Sequence, residues 1–229
     1  MSLTWLESEQ LFKTAVKNIV PVNILLDIGC GIQPSKFIRP MVHICCEPFV
    51  DYVVFLQNKI LDENDRSYVI INATWSNAVE LFPAKSVDTV FLIDVIEHLE
   101  KEEALSLLKR TENIARKQIV VFTPLGFMPQ SHPDGIDAWG LNGGAWQEHK
   151  SGWQPDDFDK TWEIFASKTF HKTDSMGKEL ETPFGALFAL KTFDSSKSNV
   201  DLAHYYRQKA HSLVERLFSI ARKVGLVSQ

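Results

Sequence analysis

Five short apolar runs recur along the first half of this chain, and each stops abruptly at a glycine or a polar residue. They are Asn23–Ile28, Val42–Cys46, Tyr68–Ile71, Thr89–Ile93 and Gln118–Phe122, ending at Gly29, Glu47, Asn72, Asp94 and Thr123. Runs of this length without polar alternation read as strands buried on both faces. Helical patterns separate them, at Val50–Asn58 and at Lys101–Ile114. That order predicts an α/β doubly wound, mostly parallel sheet with helices on both faces, its ligand crevice at the carboxyl ends of the strands.

Outside the runs, Thr4 with Glu7 reads as a capping box opening a helix over residues 4–18, which Pro21 ends. Leu125–Trp153 lacks periodicity and is rich in Gly, Pro, His and Trp, the texture of a lid or acceptor insertion. Glu163–Phe170 and Phe184–Phe193 read as two further strands, and residues 201–224 as a terminal amphipathic helix. Without a linker or repeat, residues 1–229 are read as one domain.

The composition excludes several classes. A net charge of -5 argues against phosphate-backbone binding, so no nucleic-acid partner is expected. No apolar run approaches the roughly 20 residues of a membrane span, and no secretory leader is visible. Cys30, Cys45 and Cys46 sit in apolar surroundings and read as reduced, buried thiols of a cytoplasmic protein.

The chemistry concentrates where the runs end. After the first comes L-L-D-I-G-C-G, Leu25–Gly31, whose glycines permit a tight turn and close approach of a ligand to the backbone. A pyrophosphate seat would continue as G-x-G-x-x-G, but its sixth position here is Pro34. The acidic Asp27 suits an α-amino group or a sulfonium better than a phosphate. The sequence D-I-G-C-G resembles motif I of class I S-adenosylmethionine-dependent methyltransferases, and Ser86–Leu99 (S-V-D-T-V-F-L-I-D-V-I-E-H-L) is similar to the fourth-strand region of that family.

The resemblance spans about Val22–Leu125 and implies a Rossmann-like, seven-stranded sheet with its last strand antiparallel. It also implies S-adenosyl-L-methionine as cofactor, held by Asp27, Gly29, Cys30 and Gly31, by Glu47 on the ribose, by Asn72, Ala73 and Trp75 at the adenine, and by Ile93 and Asp94. Two departures stand out: Gln33 replaces a third glycine, and no aspartate follows the third strand. Asp94, Glu97 and His98 form D-x-x-E-H, similar to the metal-binding E-x-x-E-H of some quinone-pathway O-methyltransferases. The short motif is common in relatives without metal, so no metal is expected, with those three residues as the alternative site.

The insertion holds Gln130, His132, Asp134, Asp137, Trp139, Trp146, Glu148, His149 and Trp153. Rings with scattered polar groups suit a small-molecule or saccharide-like acceptor, and Q-E-H-K-S-G-W is similar to acceptor loops of glycan-pathway methyltransferases. An imidazole titrates near neutrality, so His149 and then His132 are the candidate general bases for transfer to oxygen. Two other readings explain less: a catalytically silent cofactor-binding scaffold of the same fold, and a nicotinamide oxidoreductase.

Overall fold

The computed structural model describes residues 1–60 and 66–193. The expected terminal helix over 201–224 lies outside the described residues. The elements run β1 (Ser2–Trp5), α1 (Ser8–Lys17), β2 (Ile24–Ile28), β3 (Val42–Glu47), α2 (Val50–Lys59), β4 (Ser67–Asn72) and α3 (Trp75–Leu81). There follow β5 (Val87–Ile93), α4 (Lys101–Ile114), β6 (Ala115–Leu125), β7 (Glu163–Thr173) and β8 (Glu179–Thr192). One eight-stranded sheet has the order β1-β7-β8-β6-β5-β2-β3-β4. Strands β2 to β6 pair in parallel, and β8 runs antiparallel to both β6 and β7. Strand order reverses between β2 and β5, which opens a crevice at their carboxyl ends.

Burial follows the two-residue strand period. Leu26, Val90, Ile119 and Val121 pack with Ala104, Leu107 and Leu108 of α4 on one face. Leu25, Phe91, Val120 and Phe188 pack with Leu11 and Ala15 of α1 on the other. Each large aliphatic or aromatic side chain buried in this way contributes about 1.5–3 kcal/mol. Asp88, read from sequence as structural, accepts the N–H groups of Asn23 and Ile24 at 2.9 and 3.1 Å and pairs with Arg116 at 3.0 Å. It ties the start of β5 to that of β2.

The sheet has eight strands where seven were expected, because Ser2–Trp5 adds a parallel strand along β7, with Thr4 opposite Phe165. The helix expected from residue 4 therefore starts at Ser8. Glu7 is its N-cap and makes no side-chain capping bond. A ladder of backbone hydrogen bonds on the open edge of β7 outweighs a local capping signal worth about 1 kcal/mol. The short helix α3, capped by the Thr74 hydroxyl on the Asn77 N–H, follows β4 where no helix was expected.

Candidate functional site

The turn after β2 is shaped by its glycines. Gly29 and Gly31 have φ of 71° and 57°, in the left-handed region that disfavours side chains. A Cβ on Gly29 would stand 2.8 Å from Val95, and one on Gly31 would stand 3.1 Å from Trp139 of the insertion. Asp27 accepts the Ser35 N–H at 3.0 Å, which folds the following loop back on the strand end. It also bonds His43 Nε2 at 3.0 Å. Burial alone would lower the His43 pKa, but the Asp27 carboxylate beside it prevails and holds it at about 9. A buried, hydrogen-bonded pair thus anchors the turn. His43 lies mid-strand in an apolar run, so its role there was not legible in the sequence.

Glu47 ends β3, and both its oxygens are engaged: Oε2 accepts the Gly31 N–H at 2.9 Å and Oε1 the Phe49 N–H at 3.0 Å. Burial pushes its carboxyl up to about 7; the two N–H groups oppose that shift and Asp27 adds to it. A carboxylate offers about four lone-pair directions. Two are used by the backbone, and the remainder are available to hydroxyl donors.

Asp27, Gly29, Cys30, Gly31, Glu47, Trp75, Ile93 and Asp94 all line one cavity of about 1000 Å³. That lies at the upper end of the range of ligand pockets, enough for a cofactor and an acceptor together. Asn72 and Ala73 are absent from its wall. The Asn72 amide instead donates to the carbonyls of Glu47 and Pro48, both at 2.9 Å, and braces the chain behind the acid. Gln33, standing in place of a third glycine, lines the cavity. Asp94 has a left-handed φ of 52° and its N–H is held by the Phe122 carbonyl at 2.9 Å. Although open to the cavity, its carboxyl is raised to about 6 by removal from bulk water.

The insertion closes the other end. Gly126 and Trp153 exchange backbone hydrogen bonds of 2.7 and 3.3 Å at its base. Lys101 lies 3.6 Å above the fully buried Trp153 ring and donates to the Gly152 carbonyl at 2.7 Å. Asp137 gathers the tip, accepting the N–H groups of Trp139, Leu141 and Gly143 and the hydroxyl of Tyr52 on α2. Trp139 in turn packs edge-on against Tyr52 at 5.0 Å. The segment is therefore tied to the body of the domain at both base and tip.

Four of the chain's seven histidines, His98, His132, His149 and His171, line this end of the cavity. The structure brings the two candidate bases together there. His149 donates Nδ1–H to the Met128 carbonyl at 2.6 Å, and the buried His132 Nε2 has no hydrogen-bond partner among the described residues. Burial lowers His149, and it holds His98 and His171 down at about 4, so these three rings are neutral at pH 7. His171 comes from the β7–β8 hairpin and Phe12 from α1. Neither element was expected at the site, since neither carries a local motif.

No protein-family model and no curated protein sequence matches the chain. Among solved structures, TehB from Haemophilus influenzae is similar with a TM-score of 0.53 at 18% identity, over 79% of this chain and 61% of that one. A SAM dependent methyltransferase from Archaeoglobus fulgidus covers 79% and 91% at 16% identity, with a TM-score of 0.48. Magnesium protoporphyrin IX methyltransferase from Synechocystis PCC 6803, with bound SAM, covers 80% and 77% at 14% identity, with a TM-score of 0.48. The mostly parallel sheet, the antiparallel β8 and the glycine turn after β2 agree with what the motif I resemblance implied. This chain has the Rossmann-like fold of the class I S-adenosylmethionine-dependent methyltransferases.

Proposed function

We propose that the chain transfers a methyl group from S-adenosylmethionine to an oxygen of a small-molecule or saccharide-like acceptor. The observation that carries this is Glu47: a buried acid at the end of β3, held by two backbone donors, with lone pairs left for a ribose diol. Asp27, Gly29, Cys30 and Gly31 would hold the amino-acid end of the cofactor, Trp75 its ring, and Ile93 and Asp94 the middle. When bound, the cofactor supplies a methyl group on a cationic sulfonium, already activated for in-line displacement. The chain's part is alignment and exclusion of water. His132, whose buried Nε2 has no partner among the described residues, and His149 stand at the acceptor end as candidates to take the hydroxyl proton. The reduced, buried cysteines fit a cytoplasmic enzyme.

Gln33 in the cavity wall favours a second reading, a catalytically silent cofactor-binding scaffold. Isothermal titration calorimetry with S-adenosylmethionine, S-adenosylhomocysteine and NAD tests both. Micromolar or tighter binding of the first two and none of NAD is expected. NAD binding, or no binding of the other two, overturns the proposal. Turnover of hydroxylated acceptors then separates enzyme from scaffold.

A further inference from the structure

Glu97, His98 and His149 meet at the acceptor end of the cavity, with one ligand atom from each lying within 4.8 Å of the others. Two bonds of about 2.1 Å at a tetrahedral angle span about 3.4 Å, so the three groups need close by no more than about 1.4 Å to share one ion. Their orientations suit that. His98 Nδ1–H donates to the Glu148 carbonyl at 3.1 Å, and His149 Nδ1–H to the Met128 carbonyl at 2.6 Å. Each ring is thereby locked in the tautomer that leaves Nε2 as a lone pair, the arrangement that backbone carbonyls impose on metal-binding histidines. Glu97 Oε2 accepts the Thr123 hydroxyl at 3.0 Å, while the buried Oε1 meets no hydrogen-bond donor among the described residues. An ionised Glu97 with the Asp94 carboxyl hydrogen-bonded beside it is costly to bury unless a shared proton or a cation meets the pair.

The parts are also held in register by the backbone. The Glu97 carbonyl accepts the N–H groups of Lys150 and Ser151 at 2.7 and 3.1 Å, which stitches the insertion to the turn carrying Glu97 and His98. Preorganisation of this kind is what a metal site needs from its scaffold. The proximal charges are Asp94, next to Glu97, and Lys150, next to His98. Two neutral imidazoles and one carboxylate select a borderline first-row divalent cation, zinc above all, over magnesium or calcium.

We infer that Glu97, His98 and His149 bind one such divalent cation, whose open coordination positions face the acceptor. The ligand set differs from the sequence expectation in two respects: a metal is bound where none was expected, and His149 replaces Asp94 of the D-x-x-E-H alternative. In the methyl-transfer reading, on which this role but not the site itself rests, the cation takes the acceptor hydroxyl oxygen as a ligand and favours loss of its proton to His132. The oxygen lone pair then forms the new O–C bond while the C–S pair stays on sulfur.

The test uses the full chain without a polyhistidine tag, stripped of metal and titrated with Zn²⁺ by calorimetry and with Co²⁺ by visible spectroscopy, in the absence of cofactor. Expected are one ion per chain, intense d–d bands of four- or five-coordinate Co²⁺, and at least about tenfold weaker binding in His149→Ala and Glu97→Gln. Thermal unfolding of the metal-free variants shows whether each still folds, and His98→Gln serves if Glu97→Gln does not. Absence of stoichiometric binding, or equal binding by folded His149→Ala, overturns the inference. Cofactor titration is a separate experiment, so a failure of the methyl-transfer reading leaves the metal result standing.

Discussion

Replacing Glu47 by Gln changes charge and one acceptor with almost no change in shape, so its effects are governed by the hydrogen bonds around that side chain. The two carboxylate oxygens accept N–H groups of Gly31 and Phe49 at 2.9 and 3.0 Å. An amide keeps one of these bonds and turns an NH₂ toward the other, leaving a buried donor unpaired at a cost of about 1–3 kcal/mol of stability. The same change removes a carboxyl that burial pushes up to about 7. The folded wild type therefore retains a proton that the unfolded chain loses, from about pH 4.3 upward. The Glu47 contribution to stability falls as pH rises through that window and levels off above 7, and the variant lacks this contribution. Ligand hydroxyls that donate to Glu47 favour its ionised form, so wild-type affinity should rise with pH, by up to about tenfold per unit below 7, and then plateau. At pH 8 the variant exchanges charge-assisted bonds for neutral ones and loses about 1.5–3 kcal/mol, roughly ten- to a hundredfold in affinity. Calorimetry with S-adenosylhomocysteine at pH 6, 7 and 8 reads this. Asp94, raised to about 6, titrates in both proteins and is controlled by the comparison. Parallel pH profiles, or unchanged affinity in the variant, would refute the assignment of Glu47 to the ribose.

Replacement of Trp146 and His149 by Ala should lower acceptor turnover by at least about tenfold while calorimetric cofactor affinity changes little; collapse of cofactor binding would place the insertion in the cofactor site instead. Tyr52→Phe removes the α2 hydroxyl from Asp137 and should weaken the anchoring of the insertion by about 1.5–3 kcal/mol, seen as faster amide exchange over residues 137–143. Asp88→Ala should destabilise the fold by about 2 kcal/mol or more, since two N–H groups and Arg116 lose their partner. Backbone N–H groups, with Arg116 at 3.0 Å and Lys117 at 3.5 Å, hold the Asp88 pKa low despite its burial. Its contribution is therefore present above the ordinary aspartate range and is lost as pH falls through the depressed value. Denaturant midpoints of wild type and variant should accordingly converge in acid.

Much of the fold was legible because its signals are local. An apolar run that stops at Gly29 or Glu47 declares a buried strand and the place where it ends, whatever surrounds it, and the span of α4 is written in its own periodicity. The same holds for the glycine turn and for Glu47, whose chemistry derives from its position after a strand. Other features depended on partners distant in sequence. Residues 2–5 became a strand because β7 offers a free edge more than 150 positions away. Asn72 turned from the cavity because two carbonyls behind Glu47 take its amide. His43 has its pKa raised against its own burial because Asp27 meets it from the neighbouring strand, with Cys45 adding to the shift. The four histidines come from the turn after β5, from the insertion and from the β7–β8 hairpin, so no spacing along the chain links them. A sequence specifies which donors and acceptors exist and which local shapes they prefer. Which buried polar atom meets which, and which is left without a partner, is decided only when long-range packing excludes water from around them.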